Sequence, residues 1–261
     1  MRVAHLSRIL AVVTVVAVLS PGTALLAAEL RIAVAANFLG TLQQLAPHYE
    51  RATGTRLLLS AASSGQLYAQ IVAGAPFDIF LSADSQRPLQ LEQSGRAEPG
   101  SRFTYAIGQL VLWSPASAKF RDGAAYLRSG QYRYLAIANP DAAPYGVAAQ
   151  QVLQSLQLWD QLQVQQKIVT GASLAQAQQY AASGNADAAF VAWSQLLGTD
   201  GKPTGSYWLP PPSLYQPILQ QAVLLSSSQS KPVARRFLRW LQYDPVAARA
   251  LRAAGYGMPA S

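Results

Sequence analysis

Short apolar runs alternate with helix-patterned segments along most of this chain, and that alternation leaves few architectures open. RIAVAA, LLLSAA, FDIFLS, LAIAN, KIVT and AAFVAW read as strands. Most of them stop at a small or hydrogen-bonding residue, and a helical period follows. In the segment Leu39 to Thr53, Leu42, Leu45, Ala46 and Tyr49 fall on one face and Gly54 ends the helix. Ser64 to Ala73 repeats the pattern and closes at Gly74, and Tyr145 to Leu156 and Ser173 to Ala182 follow later strands. Strands that alternate with helices in this way build an α/β fold with mainly parallel strands.

Two longer apolar runs break the rhythm. YAIGQLVLW starts at Tyr105 and is interrupted by Gly108, and PILQQAVLLSS covers Pro217 to Ser227. Bracketing a middle segment, they predict two chain crossings between two lobes. The first lobe takes residues 29–107 and 222–261 and the second takes 108–221, with the C-terminal helices returning to the first. The Gly- and Pro-rich stretch GTDGKPTGSYWLPPPSLY reads as loop.

The N-terminus carries its own signal. Arg2 and Arg8 precede an apolar stretch from Ile9 to Leu19, Pro21 and Gly22 break it, and small residues around Ala24 or Ala28 offer a cleavage site. Residues 1–28 therefore read as a secretory signal peptide, too short in its apolar part to serve comfortably as a span. The chain has no cysteine. Disulfides, thiolate metal sites and cysteine nucleophiles are excluded together, and so is the acylated cysteine of a lipoprotein. The expected location is the periplasm.

The formal net charge is +8, and Arg235, Arg236, Arg239, Arg249 and Arg252 cluster near the C-terminus. In KPVARRFLRWLQ, Val233, Phe237, Trp240 and Leu241 share one face and the arginines lie mostly off it. That pattern favours the solvated side of a surface helix over a nucleic-acid patch. Beyond the leader only His48 remains, between Leu45 and Tyr49, where it faces water. A Ser-His-Asp site would need that one histidine, and a histidine metal site lacks ligands. No phosphate-binding loop and no dinucleotide fingerprint occurs. Asp78 and Asp84 flank the third strand and read as caps or ion partners. The expectation is a protein that is not an enzyme, with no cofactor.

The chemistry on offer sits where strands end. In open α/β sheets, ligands lie beyond the carboxyl ends of the strands, at helix N-termini. Such termini carry free N–H groups and a partial positive charge, so several aimed at one point hold an anion without Arg or Lys. Asn37 can cap the first helix or put its amide on a ligand. Ser64 has the same choice, and Gly65 allows close backbone approach. Pro144 suits a first helical position and leaves the Tyr145 amide free. Ser173 reads as an N-cap with the Leu174 N–H behind it. Each also has an ordinary reading, as a cap or a packed aromatic.

Read in order, AANFLGTLQQLA, SSGQLYAQIVAGAPFDIFLSAD, SRFTYAIGQLVLWS, AIANPDAAPYGVAAQQVLQ and ADAAFVAWSQL resemble the periplasmic molybdate-binding proteins of ABC importers, the ModA-type solute-binding proteins. The likeness runs from about Leu30 to Met258. It implies a two-lobed periplasmic binding protein fold of type II, each lobe a mainly parallel sheet flanked by helices, with two crossing strands as hinge. It also implies a tetrahedral oxyanion as ligand, molybdate or tungstate, and an inner-membrane permease as partner for a monomer. Carried over by motif, the ligand contacts are Asn37, Ser64, Tyr145 and Leu174. Ala36 stands beside them where relatives have Thr, and Ser63 and Ser173 are further candidates. Many members place a Tyr hydroxyl after the strand read here as FVAWSQ, whereas Ala192 and Trp193 occupy that place.

Alternatives remain open. A sulfate or phosphate binder is of the same class. A donor-only pocket disfavours phosphate, whose proton wants an acceptor, and Asp141 reads as a turn residue. An exported hydrolase using Ser64, or an iron carrier using Tyr145, would belong to other classes.

Overall fold

The computed structural model describes residues 28–197 and 202–259. The expected signal peptide therefore falls almost wholly outside the described residues. The first half of the chain runs β1 (Glu29–Ala35), α1 (Leu39–Thr53), β2 (Arg56–Ala62), α2 (Ser64–Val72), β3 (Ile79–Leu81), α3 (Gln86–Gln93) and β4 (Phe103–Gly108). A second set follows: β5 (Leu110–Ser114), α4 (Gly123–Ser129), β6 (Leu135–Ala138), α5 (Pro144–Ser155), α6 (Trp159–Val164), β7 (Ile168–Gly171), α7 (Leu174–Ala182), β8 (Ala188–Ala192), α8 (Trp193–Leu196) and β9 (Ser206–Trp208). The chain closes with β10 (Ile218–Leu224), α9 (Lys231–Tyr243) and α10 (Pro245–Ala253).

Two five-stranded sheets result, in the orders β2-β1-β3-β10-β4 and β7-β6-β8-β5-β9. In the first, β2, β1 and β3 are parallel and β10 opposes both β3 and β4. In the second, β7, β6 and β8 are parallel and β5 opposes both β8 and β9. The reversed strand in each sheet is the one that arrives from the other. Strands such as β1 and β8 run toward the cleft between the sheets, so a strand entering from the cleft must run away from it. The registers agree: Leu110, the first residue of β5, pairs with Ala192, the last of β8, and Ile218 pairs with Gly108. Gln109 alone separates β4 from β5.

The helix patterns find their cores. Leu42, Leu45 and Tyr49 of α1 pack with Leu30, Ile32 and Val34 of β1 and with Phe237, Leu241 and Leu251 of the C-terminal helices. Tyr49 meets Phe237 edge-on at 5.1 Å between ring centroids. Arg235, Arg236 and Arg239 are exposed, as an amphipathic surface helix requires. His48 is exposed as well. Asp78 accepts from the Arg31 N–H at 2.8 Å and the Ser228 hydroxyl at 2.6 Å, and Asp84 pairs with Arg87.

One expectation needs correction. The Gly- and Pro-rich stretch before residue 216 holds a short strand, β9, which pairs with Leu112–Ser114 at the sheet edge. Gly205 enables it: its φ is +81°, and a Cβ there would lie 2.1 Å from the Ser114 carbonyl oxygen. Among the described residues no helix is long and apolar enough to cross a membrane.

Candidate functional site

Four strand-to-helix turns carry the residues that the sequence singles out. After β1, the Ala36 N–H is given to the Ala62 carbonyl at 3.0 Å and the Phe38 N–H turns back to Ala35 at 2.8 Å, which leaves Asn37 at the apex. Asn37 is 4% exposed. It does not cap α1, whose N-cap position is Phe38, with no side-chain bond. Its Nδ2 donates to Gln220 Oε1 at 3.0 Å and to the Tyr256 hydroxyl at 3.3 Å. Its carbonyl accepts from the Tyr256 hydroxyl at 2.9 Å and the Ser194 hydroxyl at 3.2 Å.

After β2, Ser63 takes the cap, in a reciprocal box with Gln66 that engages its hydroxyl. Ser64, 1% exposed, stands one place further in, at the first turn of α2. Its Oγ accepts the Ala83 N–H at 2.9 Å, so its own hydrogen is left to donate. After β6, the Asn139 carbonyl takes the N–H groups of Ala142 and Ala143, Pro144 opens α5 and Tyr145 follows, buried. After β7, Ser173 caps α7 by accepting from Gln176 N–H at 3.3 Å, and Leu174 is the first helical residue.

The lobes touch around these turns. The Gly65 N–H donates to the Ala142 carbonyl at 2.8 Å, Arg87 Nη2 donates to the Asp141 carbonyl at 3.1 Å, and Ser194 reaches Asn37. A Cβ on Gly65 would stand 2.9 Å from the Ala142 oxygen, so this approach needs a bare backbone. Ala35 and Ala83 of the first lobe share one buried cluster with Ala143, Tyr145 and Leu174 of the second. The backbone N–H groups of Asn37, Ser64, Tyr145 and Leu174 have no acceptor among the described residues. Three of them stand in the first turn of a helix, where partial positive charge gathers.

The electrostatics is that of a neutral site. Among the described residues no Lys, Arg or His side chain bonds to Asn37, Ser64, Tyr145 or Leu174. Arg87 stays at the rim, tied to Asp84 and to the Asp141 carbonyl. Burial pushes the phenols of Tyr105 and Tyr145 well above the usual tyrosine range and that of Tyr256 up to about 12, so all three remain uncharged hydrogen-bonding groups. No cluster of His, Asp or Glu that could hold a metal occurs among the described residues. Two openings flank the site. One of about 380 Å³ is lined by Asn37, Thr41, Gln44, Gln178 and Ser194, and another of about 230 Å³ by Asp84, Arg87, Val147, Gln151 and Leu219.

Sequence reasoning overlooked Ser194, Gln220 and Tyr256. Only Gln220 left a trace, as a polar residue inside the apolar run of β10. Ala192 is fully buried and gives its N–H to Gln195 Oε1 at 2.9 Å. Trp193 packs on Tyr207 at 5.1 Å and against Gly255. The hydroxyl that reaches the first lobe from this turn belongs to Ser194.

Residues 30–257 match the family described as bacterial extracellular solute-binding protein. The chain is 45% identical over 233 residues to the molybdate-binding protein ModA of Azotobacter vinelandii, covering 89% of this chain and 91% of that protein. It is 44% identical to the Rhodobacter capsulatus ModA over 230 residues, 88% of each chain. The structure superposes on that of the Azotobacter vinelandii periplasmic molybdate-binding protein with a TM-score of 0.87 and 46% identity, covering 89% of this chain and all of that one.

Proposed function

From its membership of the bacterial extracellular solute-binding proteins, and among them of the ModA molybdate-binding proteins, we infer that this chain captures molybdate in the periplasm and delivers it to the inner-membrane permease of an ABC transporter. The observation that supports the reading is that Asn37, Ser64, Tyr145 and Leu174, on strand-to-helix turns of both lobes, are buried and keep backbone N–H groups with no acceptor among the described residues. Asn37 and Ser64 supply contacts from the first lobe, and Tyr145 and Leu174 supply them from the second. The Ala36 N–H is already engaged, so Ala36 adds only its methyl. Ser63 and Ser173 act through the caps that orient α2 and α7. Tungstate, with the same charge and shape, fits the same donors.

The mechanism is closure. A guest that accepts hydrogen bonds from both lobes binds the closed form better than the open one and shifts the equilibrium by that difference. Each hydrogen bond to a charged group contributes about 1.5–3 kcal/mol, so six of them give roughly 9–18 kcal/mol before the cost of ordering. No bond is made or broken, and the protein acts as a monomeric carrier, not an enzyme. Calorimetric titration with molybdate, followed by competition with sulfate and phosphate, tests the assignment. Ser64→Asp should abolish binding by setting a carboxylate against the anion. Unchanged molybdate affinity in that variant would refute this site.

A further inference from the structure

β10 carries a bulge between Gln220 and Gln221, and Gln220 there is fully buried. A buried amide is costly unless its groups are paired. Gln220 pairs them across the two lobes. Its Oε1 accepts from Asn37 Nδ2 at 3.0 Å and, at the same distance, from the Tyr105 hydroxyl, whose one hydrogen is shared with the Ser82 carbonyl at 3.1 Å, on the first-lobe side. Its Nε2 donates to the Tyr145 hydroxyl of the second lobe at 3.1 Å. Gly108 makes room for that contact, since a Cβ there would stand 2.2 Å from the Tyr145 oxygen.

We propose that Gln220 is a positioning residue for oxyanion capture, one amide that sets Asn37 of the first lobe and Tyr145 of the second at the spacing the closed site requires. The inference rests on the oxyanion-binding reading above and adds to it a residue on the crossing strand. The polarity of the amide matters. Its acceptor end faces two donors, and its donor end faces the phenol oxygen, which obliges the Tyr145 hydrogen to point away from Gln220. A leucine offers neither end. A glutamate carboxylate accepts from all three neighbours, donates to none and brings a negative charge beside the anion. A protonated glutamic acid restores one donor and one acceptor.

Those differences give a test that a purely structural role would not pass. The titratable groups facing position 220 are Tyr105, Tyr145 and, through Asn37, Tyr256. Asp84 lies toward Tyr105, and Arg102 bonds the neighbouring Gln221. Molybdate affinity is measured by calorimetry at pH 8.5 and pH 6 for wild type, Gln220→Leu and Gln220→Glu. Wild type should bind equally at both. Gln220→Leu should bind at least about 30-fold more weakly. Gln220→Glu should be weakened by about 100-fold or more at pH 8.5 and recover at least about tenfold at pH 6, as the acid takes up its proton. Wild-type affinity in Gln220→Leu, or a weakened Gln220→Glu with no pH recovery, would overturn the inference while leaving the functional reading intact. Should Gln220→Leu fail to fold, the pH arm of Gln220→Glu decides alone. Wild type that takes no molybdate refutes both.

Discussion

Gly108→Ala is the smallest change that should separate closing from folding. Gly108 ends β4 beside Gln109, the single residue between β4 and β5, and its φ lies outside the left-handed region, so the added methyl matters for space alone. An ideal Cβ would lie 2.2 Å from the Tyr145 hydroxyl oxygen, 2.8 Å from Gln220 Nε2 and 2.9 Å from Tyr145 Cζ. Ordinary contact begins beyond about 3.4 Å, so the phenol must withdraw by about an ångström. Overpacking of this kind costs about 1–3 kcal/mol, and the lost Tyr145–Gln220 hydrogen bond adds about 0.5–1.5 kcal/mol. Tyr145 belongs to the second lobe and Gly108 to the first sheet, so the clash with the phenol falls on the state in which the lobes meet, while the contact with Gln220 lies within the first sheet. With about 2–3 kcal/mol charged to closure, molybdate affinity should drop about 30- to 150-fold. Calorimetry reads the affinity, and thermal melting with and without molybdate reads where the cost lies. The ligand-free midpoint should stay near that of wild type, and the ligand-induced rise should shrink. Adding Tyr145→Phe removes the nearest clashing atom and should recover part of the loss. Affinity within threefold of wild type, or an equal fall in both midpoints, would refute the reasoning.

Other outcomes follow from the same contacts. Ser194→Ala removes a neutral hydrogen bond between the lobes and should weaken molybdate binding about 2- to 13-fold, with little change in the ligand-free midpoint. Arg87→Ala frees the Asp141 carbonyl and should speed release, read by stopped-flow fluorescence, without changing which anions bind. Affinity should be flat from about pH 6.5 to 9, because burial holds the site phenols neutral; a titration slope in that range counts against it. Stability should fall as pH rises past 10, the ordinary phenol value, because the unfolded chain releases protons that the folded one keeps up to about 12 at Tyr256.

Much of this fold was legible in the residues because its signals are local. The alternation of apolar runs and helix periods marked the strands, and Gly54 stands at the C-cap of α1 with φ +68°, where a glycine was expected. The turns that carry Asn37, Ser64, Tyr145 and Leu174 could be located for the same reason. What stayed hidden depends on how the lobes dock. Asn37 meets Gln220 across 183 residues and Tyr256 across 219, and no periodicity reports such pairs. The choice between Ser63 and Ser64 as cap turns on a one-residue shift, settled by the box with Gln66 and by the Ala83 N–H that occupies Ser64. β9 escaped because edge strands can be short, and its glycine served a close approach instead of a turn.

A neutral, two-lobed donor set also explains how such a site can refuse guests. When the lobes meet, the N–H groups of Asn37, Ser64, Tyr145 and Leu174 leave water together. A guest that accepts from all of them repays the loss of hydration, whereas each donor left unpaired in a buried place costs about 1–3 kcal/mol. A guest that arrives with its own proton, as phosphate does near neutral pH, sets a donor against donors and, among the described residues, finds no carboxylate bonded to this set. An arginine in contact would attract every anion alike and blur that distinction, and it would keep its attraction with the lobes apart. Holding the Arg87 guanidinium at the rim, bound to Asp84, lets discrimination rest on the count of acceptors that a guest presents when the cleft shuts.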